Sequence, residues 1–118
     1  SSVVLYSTVA EKVGMPLHAS VAASKGALEG LGKSLAAELA PNTRVNVIAP
    51  SITNTPLADR FLNNETKMEK SAQRHPLKRV GKAEDVASMT RFLLSDESSW
   101  MTGQIIGLDG GMSSLNTH

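Results

Sequence analysis

The sequence predicts an α/β domain in which helices cover a parallel sheet. Three observations carry that reading: short β-branched, apolar runs at 3–6, 44–49 and 103–111, helical stretches with apolar faces between them, and the alternation of the two along the chain. The runs are too apolar for strands with one face in water, so both faces of the sheet are expected to be covered.

The first run, "VVLY" from Val3 to Tyr6, has the composition of a buried strand. A polar, glycine-containing loop follows and ends near Pro16. From Ser20 to Leu39, Leu28, Leu31, Leu35 and Leu39 recur every three or four residues, with Lys33 and Glu38 off that stripe. This is the pattern of an amphipathic helix, stopped by Pro41, whose ring cannot continue it. "RVNVIA", Arg44 to Ala49, reads as the second strand, closed by Pro50. Asn54 to Arg74 is mixed and charge-rich; it reads as a mobile excursion with short helices around Leu57–Leu62 and Glu65–Ala72. Helical periodicity returns from Glu84 to Leu94, where Val86, Met89, Thr90 and Leu93 share a face and Glu84 and Asp85 sit in the first turn, beside the positive end of the helix dipole. "GQIIGLDGG", Gly103 to Gly111, supplies the third strand and a paired-glycine turn. No internal repeat or low-complexity tract interrupts the order.

Composition narrows the function classes. A chain of 118 residues, 41% hydrophobic, is the size of one domain with a core of its own. Twelve basic and eleven acidic residues leave a formal charge of +1, and aromatics are 3%, so neither a phosphate-tracking stripe nor a base-stacking platform is expected and nucleic acid is not a predicted partner. The absence of cysteine removes disulfides and Cys-based zinc sites and fits a reducing compartment. No ligand cluster has metal-site spacing. With no apolar run near the roughly 20 residues that span a bilayer, and no basic-then-apolar leader, the sequence reads as soluble and cytoplasmic, with no membrane partner. It opens at Ser1 without a methionine, as a processed, clipped or truncated product would.

Two glycine patterns imitate nucleotide sites. "GLGKS" at 30–34 resembles the end of a phosphate-binding loop, but the glycine required five residues before Gly32 is Ala27. Gly26, Gly30 and Gly32 match a dinucleotide-type spacing, yet they lie inside the leucine-striped helix, where backbone amides are already bonded to carbonyls and cannot cradle a pyrophosphate. Close packing of the helix on a neighbour is the better reading of these glycines.

Six landmarks then stand in order: "YSTVA" after the first strand, "AASKGALEGLGKSLAAELAP" in the helix, "RVNVIAP" for the second strand, "TNTPL" after it, "HPLKRVGKAEDVA" before the last helix, and "SSWMTGQIIGLDGG" at the third strand. Together they resemble the C-terminal half of a short-chain dehydrogenase/reductase, over nearly the whole chain. The resemblance implies one partial domain over 1–118, the C-terminal part of a Rossmann-like doubly wound parallel sheet of about three strands with flanking helices. It implies NAD or NADP as cofactor and hydride transfer to or from a carbonyl or alcohol carbon of a small molecule. Family chains are about twice as long, and their cofactor-binding glycine motif lies in the first half, as does the residue that distinguishes NAD from NADP.

The resemblance also locates a departure. The family protonates the substrate oxygen with a tyrosine placed four residues, one helical turn, before a lysine whose ammonium stabilises tyrosinate and holds the nicotinamide ribose. Lys25 stands in the lysine's place, and four residues earlier stands Val21, which neither donates nor accepts a proton. The family's substrate-orienting serine falls on Thr8, which keeps the hydroxyl and adds a methyl group. His18, three residues before Val21, is the candidate replacement acid; following Pro16 closely, it is expected in the loop before the helix, where a surface role is the preferred reading. Ser20 and Ser24 read as helix-start and packing residues, and Lys25 has a solvated helix lysine as its alternative. Thr53 and Thr55 match the family's positions for a backbone contact to the cofactor's carboxamide and a hydroxyl contact to the cofactor, with turn formation as the alternative. Where the family commonly has Pro-Gly, this chain has Pro50-Ser51, sterically tighter beside the nicotinamide. Arg79, Gly81 and Asp85 are expected to order the approach to the last helix, and Asp109 to Gly111 to form a strand-end turn. The family assembles through the helix at 20–39 and the last strand, so a homo-oligomer is expected. A non-catalytic oligomeric scaffold or binding module is the alternative that Val21 raises.

Overall fold

The computed structural model describes residues 1–7, 18–51, 53–54, 65–111 and 115. In chain order its elements are β1 (Ser2–Tyr6), α1 (His18–Leu39), β2 (Arg44–Pro50), β3 (Thr53–Asn54), α2 (Glu65–Arg74), β4 (Gly81–Lys82), α3 (Ala83–Leu94), a 3-10 turn at Asp96–Ser98, and β5 (Ile105–Leu108). β2 is the central strand of a parallel sheet ordered β1, β2, β5. Val3 pairs with Val45 and Tyr6 with Ile48 on one side of it; Val47 pairs with Ile105 and Pro50 with Leu108 on the other. As the middle strand it is the most deeply buried, with Val45, Val47 and Ile48 at most 1% exposed.

Side chains alternate across a strand, and the two faces of β1 take different helices. Leu5 turns to α1, whose Gly32 lies against it and Val47. Ser2 and Tyr6 turn to α3: the Ser2 hydroxyl donates to the Leu93 carbonyl at 2.6 Å, and the Tyr6 hydroxyl meets Thr90 Oγ1 at 2.7 Å. Helices on opposite faces of a parallel sheet make the arrangement doubly wound. On α3 the expected face is the packed one, with Leu93 wholly buried and Val86, Met89 and Thr90 half-buried.

On α1 the expectation needs correction. The leucine stripe is not its contact line: Leu31 is 51% and Leu39 38% exposed, whereas Gly32 and Ala36 are buried. A Cβ on Gly32 would stand 2.5 Å from Val47 Cγ2, so the backbone comes too near the sheet for any side chain there. Small residues occupy that line, and the leucines flank it. Gly26 and Gly30, grouped with Gly32 as close-packing residues, would have nothing within 4 Å of a Cβ among the described residues and do not pack on the sheet in this way.

Buried polar side chains fasten β2 to the connection after α3. Arg44 donates through Nη1 to the Ser98 carbonyl and hydroxyl, both at 2.8 Å, and through Nη2 to the Ser95 carbonyl at 3.0 Å. Asn46, fully buried, gives Nδ2 to the Met101 carbonyl and accepts the Gln104 amide on Oδ1. β3 and β4 pair in parallel, Thr53 with Gly81 and Asn54 with Lys82, a two-stranded ribbon that the sequence did not announce. Glu65–Ala72 falls within α2 as expected, while Leu57–Leu62 lies outside the described residues.

Candidate functional site

In a parallel sheet every strand ends at the same edge, and in doubly wound folds ligands bind in the crevice beyond those ends. Here that edge carries Ser7 after β1, Ser51 after β2 and Asp109 after β5. A helix linking two parallel neighbours runs back along the sheet, so α1 begins at this edge. Lys25 precedes Gly32 by two turns, which places it about 10 Å from the Gly32–Val47 contact, toward the strand ends. It is partly buried, with Nζ 4.0 Å from Glu29 Oε2 one turn further on.

His18 and Val21 lie in the opening turns of the same helix. The structure therefore corrects the placement of His18: it is the first residue of α1, not part of the loop before it, because the small-residue helical stretch extends two residues further back than Ser20. Thr53 sits in β3, and its backbone pairs with Gly81. Thr8 and Thr55 lie outside the described residues. The structure thus brings His18, Val21 and Lys25 onto one end of one helix, with Thr53 following β2 at the same edge of the sheet.

Ser51 differs from its expected role. Its side chain is 2% exposed, and its Oγ lies 2.9 Å from Nε2 of His75, itself 1% exposed. The hydroxyl is engaged with the chain beyond α2 instead of simply crowding the strand-end crevice. Around this pair a cavity of about 100 Å³ is lined by Leu77, Arg79, Asp85, Leu108 and Asp109, among others. Arg79 grips Asp85 with both nitrogens, at 2.8 and 3.2 Å, and the Lys82 amide donates to the same carboxylate at 2.7 Å. Those bonds, the Arg79 one foremost, hold the Asp85 carboxyl at about 2 instead of its ordinary 3.8 and push the guanidinium up. Arg79, Gly81 and Asp85 thus order the start of α3 as expected. Asp109 accepts the Gly111 amide at 2.9 Å, and Gly110 and Gly111 take φ of 60° and 89°, a strand-end turn that needs glycine.

Three residues escaped the sequence reading. Glu29 is one, with Oε2 buried beside Lys25 and without a hydrogen-bond partner among the described residues; its i+4 spacing from the lysine was the available signal. Ser7 is another, its hydroxyl buried at the strand-end edge and unbonded among the described residues. His75 is the third, hidden because its partner lies 24 residues away. Among the described residues no three His, Asp or Glu side chains group as a metal site, and no helix is long and apolar enough to cross a membrane.

A lysine thus stands near the strand ends, and the mid-helix glycines lie within α1, too far inside it to cradle a phosphate. Comparisons with known proteins place the chain in a family. Residues 1–113 match the family profile described as enoyl-(acyl carrier protein) reductase. The chain is 45% identical over 112 residues to 3-oxoacyl-(acyl-carrier-protein) reductase FabG of Thermotoga maritima, covering 94% of this chain and 45% of that protein. Among solved structures it is similar to a short-chain dehydrogenase/reductase of Brucella melitensis, at 38% identity and a TM-score of 0.83, covering 95% of this chain and 45% of that one. It is also similar to 4-hydroxyisoleucine dehydrogenase complexed with NADH, at 31% identity and a TM-score of 0.86, covering 98% of this chain and 48% of that one. The chain therefore spans a little under half the length of these relatives.

Proposed function

The chain belongs to the short-chain dehydrogenase/reductase family, and on that premise we propose that it is the nicotinamide-side half of an NAD- or NADP-dependent oxidoreductase acting on a carbonyl or alcohol carbon. The observation that carries the proposal is Lys25 on α1, near the strand ends. A bound nicotinamide supplies or accepts the hydride. Lys25 would hold the nicotinamide ribose, and Thr53 and Thr55 would supply a backbone contact to the carboxamide and a hydroxyl contact to the cofactor. Thr8 orients the substrate oxygen.

Protonation of that oxygen is where this chain departs from its family. Val21 has no exchangeable proton, so the ammonium of Lys25 has no phenol beside it to activate. His18 lies three residues earlier in the same helix, and an imidazole is a general acid of suitable intrinsic strength near neutral pH. We assign it the proton-donor role. The competing reading is a non-catalytic scaffold, and Val21 is the observation that favours it.

The deciding experiment uses the full-length protein. Saturable binding of NADH or NADPH by calorimetry is expected, together with carbonyl-dependent NAD(P)H oxidation that His18→Ala abolishes and Val21→Tyr raises. Binding without turnover in the wild type, with activity appearing only in Val21→Tyr, would establish the scaffold reading. Absence of cofactor binding would refute the oxidoreductase reading.

We also propose self-association through the outer face of α1. Gly26 and Gly30 leave open space there and Leu31 is 51% exposed, a surface of small residues and one apolar knob suited to a second helix. A sedimentation mass equal to one chain at micromolar concentration would refute it.

A further inference from the structure

We infer that Ser51 and His75 form a latch that holds the C-terminal end of α2 at the strand-end edge, making both of them positioning residues for whatever binds in that crevice. The catalytic consequence of the inference rests on the oxidoreductase reading above; the latch itself does not.

Ser51 is the first residue after β2, and His75 is the first after α2. Their side-chain bond, at 2.9 Å, therefore joins the point where the chain leaves the sheet to the point where α2 ends, across 24 residues. Both side chains are at most 2% exposed, so water does not compete for the bond. A buried, satisfied polar pair specifies one arrangement, because sliding α2 would leave two desolvated groups needing new partners.

The surroundings of His75 give the latch a rigid seat. Its amide donates to Ala72 at the end of α2, and its carbonyl accepts the Lys78 amide at 2.8 Å, closing a tight turn in which Lys78 takes a φ of 61°. The Leu77 amide donates to the Gly110 carbonyl at 3.1 Å. A Cβ on Gly110 would come within 3.5 Å of the imidazole Cδ2, so the turn after β5 packs against the ring. On the other side, the Ser51 amide donates to Leu108 at the end of β5. One imidazole thus ties together the ends of β2, α2 and β5. The hydroxyl that makes this possible stands where the family commonly has glycine, which offers no side-chain partner.

Amide hydrogen exchange on the ligand-free full-length protein tests the latch. In Ser51→Ala, protection across α2 is expected to fall about ten-fold, while α3 is unchanged. His75→Leu should produce at least the same local loss, and the double variant should lose less than the sum of the two single ones, since the Ser51–His75 bond is absent from all three. His75→Gln carries an amide near the position of Nε2 and should restore most of the protection. Should His75→Leu fail to fold, Ser51→Ala, which deletes one oxygen, still decides the matter. Unchanged α2 protection in Ser51→Ala, or additive losses in the double variant, would overturn the inference. Because no cofactor is present in these measurements, failure to bind NADH would count against the oxidoreductase reading alone.

Discussion

Gly32→Ala tests the packing that places Lys25. The added methyl carbon would lie 2.5 Å from Val47 Cγ2, more than 1 Å inside ordinary carbon–carbon contact, and 3.7 Å from Leu5 Cδ1, which is acceptable. Val47 is 1% exposed and β-branched, so it has little freedom to turn aside. Either α1 lifts from the sheet or Val47 leaves its rotamer, a strain of about 1–3 kcal/mol. Replacing a mid-helix glycine with alanine offsets about 1 kcal/mol of this, leaving a net loss of up to about 2 kcal/mol. Gly30→Ala, measured at a concentration where the chain is monomeric, is the control: among the described residues nothing lies within 4 Å, so the full helical gain of about 0.5–1 kcal/mol should appear. Urea unfolding should therefore separate the two variants by on the order of 1 M in Cm at unchanged m. Equal stability of the two would refute the close approach. If Gly30→Ala instead destabilises at high concentration, and the loss shrinks on dilution as the wild type itself dissociates, the outer face of α1 is covered by a second copy.

Two further outcomes follow from the charges. Asp85 titrates at about 2 in the folded chain against an ordinary 3.8, so the stability it contributes is complete above that ordinary value and is lost as pH falls toward 2; Asp85→Asn should flatten this part of the acid limb in denaturant midpoints measured from pH 2 to 6. Glu29 buries one carboxylate oxygen 4.0 Å from Lys25 Nζ, so Glu29→Leu, which keeps helix propensity but removes the ion pair, should cost no more than about 0.5 kcal/mol in the same assay, whereas a loss of several kcal/mol would show that the carboxylate supports more than this pair.

Most of the architecture was legible because it is local. The runs at 3–6 and 44–49 became β1 and β2, the Gly103–Gly111 run contains β5, and the 20–39 and 84–94 periodicities lie within α1 and α3. Helix boundaries were less so: small residues such as Ala19 and Ser20 carry weak capping signals, and α1 reaches back to His18. The choice of contact face misled because hydrophobicity ranks leucine above glycine, whereas distance to the sheet ranks glycine first; only the position of Val47 decides between them. The Ser51–His75 bond and the β3–β4 pairing were invisible for a different reason. Both join residues more than 20 positions apart, and no period in the sequence encodes such a distance.

Lys25 also separates the catalytic reading from the scaffold reading, because the two give it different work. As a partner of Glu29 at 4.0 Å, one turn along the helix, it belongs to a class of ion pairs that contributes about 0.3–0.5 kcal/mol. Lys25→Met would then change stability modestly and leave NADH affinity untouched. As the residue that holds a nicotinamide ribose, the same lysine supplies charged hydrogen bonds worth about 1.5–3 kcal/mol, which is a ten-fold to hundred-fold loss of NADH affinity when it is removed. Calorimetry on Lys25→Met in the full-length protein therefore distinguishes the two by magnitude. A ten-fold loss of affinity with little change in melting midpoint would mean that the cofactor side of the site has kept its function although Val21 replaced the acid. An unchanged affinity would leave Lys25 as one end of a surface ion pair and the helix as scaffold.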